Sequence, residues 1–239
     1  MTTLSRILPT SLALAALAST ALAADLTRHD PPLGFDLSFR YHVADDVAEQ
    51  DVFIEREPGS GAVWRPTPAE RNLDAPLYAA AEPQPHMPFD PEAIGPFEKG
   101  APLGMTLGEW YGATGEGRYT CEAGEGRLAI DFEGLVPDGI YTLWLYFVAW
   151  PPTEPFIGTY DLPVGSRDGA QSVFVADAEG TARFDQTFKP CLQMSGEHLA
   201  AGLAVNWHSD GKTYGVEPGA FAQNAHIQLY AGLPARPGL

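Results

Sequence analysis

The run from Ile140 to Trp150, IYTLWLYFVAW, limits the fold of this chain more than any other stretch. Side chains alternate across a strand. Tyr141, Leu143, Leu145 and Phe147 therefore share one face, and Thr142, Trp144, Tyr146, Val148 and Trp150 share the other. Both faces are apolar, so the strand needs cover on both sides and belongs in the middle of a sheet. Pro137-Asp138-Gly139 immediately before it is a turn signal.

The rest of the chain repeats the two-residue period. Leu33, Phe35, Leu37, Phe39 and Tyr41 alternate with smaller or polar residues, the pattern of a half-buried strand. Val52 to Arg56 reads as a second strand before the turn Pro58-Gly59-Ser60-Gly61. Leu107 to Tyr111 suits one helical turn, Gly112 to Gly117 reads as loose chain, and Arg118 to Cys121 enters a strand. Leu128, Ile130 and Phe132 alternate with Ala129, Asp131 and Glu133, which gives that strand one wet face. Ser172–Ala176 and Thr181–Phe188 flank Asp177-Ala178-Glu179-Gly180, which reads as a hairpin loop. Gly202–His208 and Ala225–Ala231 are the last two strands.

No long helical period and no internal repeat occurs. Short strands with frequent turns indicate an all-β chain, an antiparallel β-sandwich or barrel-like domain. Between Pro66 and Pro102 nine prolines interrupt the pattern. Proline lacks a backbone donor and disfavours both helix and central strand. This segment is expected to be a long irregular strap, anchored over a sheet by Trp64, Leu73, Leu77, Tyr78, Met87, Phe89 and Phe97.

The first residues give an address. Arg6 precedes an apolar run from Ile7 to Ala23 that ends on Ala21-Leu22-Ala23. This is the layout of a secretory signal peptide over 1–23, leaving 24–239 as a single secreted or periplasmic β-sandwich domain with no membrane span. The formal charge is −17, and losing Arg6 with the leader makes the remainder more acidic still. A surface of that sign repels phosphate backbones and anionic membranes, which argues against nucleic acid as a partner. The cysteines are Cys121 and Cys191. A lone pair in an exported chain is expected to form a disulfide, and its spacing gives neither a CxxC motif nor a cysteine-rich zinc site.

Two segments resemble stretches of uncharacterised secreted bacterial β-domain proteins. One is Lys99-Gly100-Ala101-Pro102-Leu103-Gly104-Met105-Thr106-Leu107-Gly108-Glu109-Trp110, and the other is Gly134-Leu135-Val136-Pro137-Asp138-Gly139-Ile140-Tyr141-Thr142-Leu143-Trp144. The resemblance implies a secreted β domain and transfers no catalytic residue.

Three constellations bear on function. His208, Asp210 and His226 are the candidate metal ligands. Both histidines fall on the polar phase of their strands, and paired strands would offer two imidazoles and a carboxylate to zinc or copper. Trp144, Tyr146 and Trp150 are the candidate ligand-binding stripe, since aromatic faces stack on sugar rings, although large aromatics also serve as core. His86-Met87, and Cys191 with Met194 and His198, carry soft copper donors, but a disulfide removes Cys191 and the order of the latter set is not the electron-transfer pattern.

Hydrolase signals are weak. No Gly-x-Ser-x-Gly elbow, His-Glu-x-x-His, phosphate loop or dinucleotide fingerprint is present. Ser195 and His198 are close only in sequence. The expectation is a secreted non-enzymatic binding or interaction module that contacts a protein or glycan and needs no cofactor. The alternative is a zinc- or copper-binding protein built on His208, Asp210 and His226.

Overall fold

The structure is a computed structural model and describes residues 33–41, 51–85, 94–151 and 161–235. The expected leader, together with His86, Met87 and Phe89, lies outside these residues. In chain order the strands are β1 (Leu33–Phe39), β2 (Phe53–Ile54), β3 (Ala62–Val63), β4 (Pro76–Ala80) and β5 (Phe97–Thr106), followed by one short helix, α1 (Leu107–Tyr111). The remaining strands are β6 (Thr114–Glu122), β7 (Glu125–Glu133), β8 (Ile140–Ala149), β9 (Leu162–Pro163), β10 (Val173–Val175), β11 (Ala182–Phe188), β12 (Leu199–His208) and β13 (Ala225–Gly232).

The strands form three antiparallel sheets. The first has the order β1-β6-β7-β11, the second β10-β8-β12-β13 with β9 beside β8, and the third β2-β4-β5-β3. The fold is the expected all-β, sandwich-like architecture.

The long strand β8 lies inside the second sheet, with β12 on one edge and β9 and β10 on the other. Tyr141, Leu143, Leu145 and Phe147 are buried in the main core. That core joins Leu37 and Phe39 of β1, Tyr119 of β6, Leu128, Ile130 and Phe132 of β7, and Phe184 of β11. Phe174 stacks between the two sheets, 5.1 Å from the Phe132 ring and 5.4 Å from the Tyr141 ring. The opposite face of β8 is covered as well. Trp144 packs with Ala204 and Ile227, and Tyr146, Phe221 and Tyr230 border this second cluster. Gly202 lets the Tyr146 ring lie across β12, because a Cβ there would fall 2.3 Å from that ring.

Local signals explain most element ends. Thr106 and Glu109 form a reciprocal capping box at the start of α1, satisfying two amide donors that a helix leaves free. Ala123 and Gly124, both at positive φ, turn β6 directly into β7 so that Glu122 faces Glu125. Two successive positive φ values are what a two-residue hairpin of the proper twist needs.

Three expectations need correction. The proline-rich segment is not a mere strap, because it supplies β4 and β5, the two inner strands of the third sheet. Pro76 heads β4, and Pro102 pairs with Tyr78 between two register shifts, so neither proline breaks a regular ladder. The glycine-rich stretch before Arg118 is not loose, since β6 begins at Thr114 and pairs from there with Glu133. The loop at Asp177–Gly180 does reverse the chain, with the Asp177 amide donating to the Thr181 carbonyl at 2.8 Å. Its flanking strands, however, do not pair. β10 joins β8 and β11 joins β7, so the loop passes between sheets.

Candidate functional site

Most of the buried polar side chains gather in the second sheet and beside its last strand. Thr142, Asn206, His208, His226, Gln228 and Asp51 are all buried, and Arg65 is buried next to Asp51. An uncompensated buried polar group is costly, so their partners decide what the cluster does.

The geometry follows from one extra residue. β12 and β13 pair Val205 with Leu229 but Asn206 with Ile227, which leaves Gln228 as a bulge. Gln228 uses the bulge to accept from the Tyr141 hydroxyl at 2.9 Å and to donate to the Trp110 carbonyl at 3.2 Å. The bulge also sets where the histidines point. His226 pairs with core-facing Trp207, and the two rings are 5.4 Å apart. His208 is next along β12 and faces the other side, where its Nε2 lies 2.8 Å from Thr142 Oγ1. Trp144 donates its indole N–H to the same hydroxyl at 2.7 Å.

His226 is held at both nitrogens. Its Nδ1 lies 2.6 Å from the backbone carbonyl of Asp51, and its Nε2 lies 2.9 Å from Ser209 Oγ. A carbonyl only accepts, so Nδ1 carries the proton and Nε2 accepts from the serine hydroxyl. Burial pushes the His226 pKa down, against the upward pull of the Asp51 carbonyl and of the Asp51 and Asp210 charges, so the ring is neutral.

His208 behaves alike. Burial lowers it to about 4, with a smaller contribution in the same direction from His226 and an opposing one from Asp210. Its Nδ1 is buried without a hydrogen-bond partner among the described residues.

Asp51 carries this network into the third sheet. Its carboxylate accepts from the Ile227 amide at 3.1 Å and from Arg65 at 3.3 Å. The Arg65 guanidinium lies over the rings of Phe53 at 5.2 Å and Phe97 at 5.7 Å, and donates to the Pro85 carbonyl at 3.1 Å. Cation–ring contact and hydrogen bonds together offset the desolvation of this charge.

The connection after β12 is pinned above the cluster. The Ser209 amide donates to the Asn224 carbonyl at 3.0 Å. Asp210 accepts from the Lys212 amide at 3.2 Å, from the Tyr214 hydroxyl, and from the Asn224 side-chain amide at 3.4 Å.

The proposed metal set is therefore not assembled as the alternation suggested. His208 and His226 sit on opposite faces of the sheet, and Asp210 is occupied by Tyr214, Asn224 and Lys212. Among the described residues no group of three His, Cys, Asp or Glu side chains is placed to hold a metal ion.

The aromatic stripe is broken too. Trp144 is only 2 % exposed, Tyr146 is half-buried edge-on to Tyr230 at 5.3 Å, and Trp150 is 52 % exposed. The cover that includes Phe221 removes Trp144 from any sugar-stacking platform. Cys121 and Cys191 do form a disulfide, with Cα atoms 5.8 Å apart, as expected.

Sequence reasoning missed Ser209, Asp51 and Arg65. Ser209 follows His208 directly and shares the strand phase of Trp207, the only local hint that it faces His226. Ser195, the serine singled out beside His198, instead donates to the Leu233 carbonyl at 2.7 Å.

A different surface is open. The outward face of the first sheet carries Asp36, Glu116, Arg118, Arg127, Asp131, Arg183 and Asp185. Cross-strand ion pairs run over it: Arg118–Asp36 at 2.6 Å, Arg127–Asp185 at 2.8 Å and Arg183–Asp131 at 2.7 Å. Two shallow depressions mark its ends. One is lined by Arg118, Thr120, Glu122, Arg127, Thr187 and Lys189 among others, and the second by Asp131, Glu133, Asp177, Arg183 and the exposed Val175. No protein-family model, no curated protein and no solved structure matches this chain, so the functional reading rests on these residues.

Proposed function

We propose that this protein is an exported, non-enzymatic β-sandwich module that binds another protein through the outward face of its first sheet. The observation that carries the reading is the contrast between its faces. Both sides of β8 are covered, whereas the first sheet presents four strands of alternating charge to solvent, with a depression at either end. On a chain of net charge −17, four of the fourteen basic side chains, Arg118, Arg127, Arg183 and Lys189, stand on this face or its rim. Mixed charges in fixed positions give register and partner choice in protein contacts. The positions that point outward are not aromatic, which favours protein over glycan on this surface. The disulfide supports an oxidising compartment, in line with the leader-like start of the sequence.

The test uses the mature protein and an Arg118→Glu, Arg127→Glu variant of equal stability. Exported proteins of the source cell are captured on each, and the retained partner is purified and titrated calorimetrically against both. A partner bound by the natural chain and weakened at least tenfold by the variant supports the reading. Equal affinity for both, or no partner at all, overturns it.

A further inference from the structure

We propose that two copies of this chain pair antiparallel along β11, joining their first sheets into one continuous sheet. The contact is an edge, separate from the outward face to which the partner protein is assigned.

β11 is the last strand of the first sheet and is paired with β7. Backbone groups alternate in direction along a strand, so an edge strand leaves half of them over. The hairpin between β6 and β7 says which half. Glu122 and Glu125 close it across a two-residue turn, so the odd-numbered residues of β7 bond to β6 and the even-numbered ones to β11. β11 pairs in unbroken register from Ala182 with Phe132 to Phe188 with Gly126, so its own odd-numbered residues turn their amides and carbonyls outward. The Thr187 carbonyl agrees, since it accepts from the Gln171 side chain at 3.4 Å, outside the ladder. Thr181, just ahead of the strand, is taken by Asp177 through both its amide and its carbonyl, each at 2.8 Å. Between these two caps the amides and carbonyls of Arg183 and Asp185 have no partner among the described residues.

The other described edges are short, occupied or unsuited. β10 has three residues, while β2 and β3 have two each and are joined through Ile54 and Trp64. β13 gives its Ile227 amide to Asp51 and bonds Tyr230 to Arg40. β1 carries Asp36 as its single charge, which a second copy would meet with no opposite.

The charges of β11 choose the occupant. An edge of one sign repels its own copy. β11 carries one cation and one anion, Arg183 and Asp185, two residues apart and both exposed. In the antiparallel register centred on Phe184, Arg183 of each copy stands opposite Asp185 of the other. These are also the residues whose free amides and carbonyls then exchange hydrogen bonds. A slide of one residue breaks those bonds, and a slide of two sets Arg183 against Arg183 or Asp185 against Asp185. In the matched register the ion pairs within each chain, Arg183–Asp131 and Asp185–Arg127, become a charge ladder that runs across the join. The depression at this edge, lined by Val175, Ala182 and Arg183, stands beside the second copy, and Val175 is 57 % exposed without it.

The experiment measures the mass of the mature protein by sedimentation velocity up to about 1 mM, since an edge contact is small and its affinity modest. A monomer–dimer equilibrium is expected, with amide exchange at Arg183 and Asp185 slowing as concentration rises. Arg183→Asp and Asp185→Arg each set like charges opposite one another in both symmetry-related pairs, and each should weaken dimerisation roughly tenfold or more. An equimolar mixture of the two variants restores opposite charges in both pairs and should dimerise as the natural chain does. Both side chains point to solvent, so the variants keep the fold, and the exchange measurement on the natural chain needs no variant at all. Arg118 and Arg127 stay unchanged throughout, so this outcome is separate from that of the test on the outward face. A natural chain that stays monomeric at the highest concentration overturns the proposal. So does a dimer whose Arg183 and Asp185 amides exchange as fast as in the monomer, or a mixture of the folded variants that associates no more tightly than either alone.

Discussion

Lowering the pH from 7.5 to 5.0 should weaken the fold through His208. In the folded protein its pKa is pushed down to about 4 by burial, against an ordinary value of 6.5. The unfolded chain therefore binds a proton in this range that the folded chain refuses, so stability falls as pH falls. The loss begins near the ordinary value and ends near the folded one. At pH 5.0, one and a half units below the unfolded value, it amounts to about 2 kcal/mol at roughly 1.4 kcal/mol per unit. His226 is shifted in the same direction by the same cause and adds to the loss.

The carboxylates held low lie outside this window. Glu55, Glu109, Asp168, Asp177 and Asp185 are held below their ordinary values of 4.5 and 3.8, so their contribution is lost only at more acidic pH. Urea unfolding at pH 7.5 and 5.0, on the natural protein and on His208→Gln, measures the effect. The natural protein should lose about 2 kcal/mol more than the variant between the two conditions. Equal losses would refute the burial argument for His208.

Opening the Cys121–Cys191 bridge, which spans 70 residues, should cost about 4 kcal/mol in the chain-entropy account, read as a lower urea midpoint for a Cys121→Ser, Cys191→Ser protein. An unchanged midpoint would show that the bridge constrains nothing. Leu145→Ala removes a core side chain only 6 % exposed and should cost about 2 to 5 kcal/mol, whereas a loss under about 1 kcal/mol would mean that this face of β8 is not the core. Asp51→Asn removes one side of the buried Asp51–Arg65 ion pair, for an expected loss of about 3 to 5 kcal/mol in thermal or urea unfolding. A neutral result would place that charge in water.

The sequence was readable wherever one local rule governed the outcome. β8 has a two-residue period on both faces, and no alternative structure uses both sets. α1 carries its cap in Thr106 and Glu109. Failures came where a partner far along the chain decided. The turn at Asp177–Gly180 states that the chain reverses but not that its arms go to different sheets. The prolines from Pro66 onward discouraged strand assignment, although Pro76 and Pro102 occupy positions where a missing donor is harmless. For the site, the alternation identified both histidines as notable and misplaced one. A single bulged residue, Gln228, turns His226 inward, and no pattern around it announces that bulge. Asp51 meets His226 across 175 residues, which no local motif encodes.

That long-range clasp has a consequence for how the protein is made. Asp51 and Arg65 are translated well before two of the groups their network reaches, His226 and the Ile227 amide, which lie 175 and 176 residues beyond Asp51. The residue following β1 is likewise sealed late, with Arg40 and Tyr230 exchanging backbone hydrogen bonds of 3.0 and 2.7 Å. The contacts that tie β1 and the third sheet to β13 therefore cannot close until β13 exists, and such distant pairings are slow to form. The first sheet needs neither β12 nor β13, so it can pair on its own, whereas the seam between the second and third sheets joins residues 175 apart.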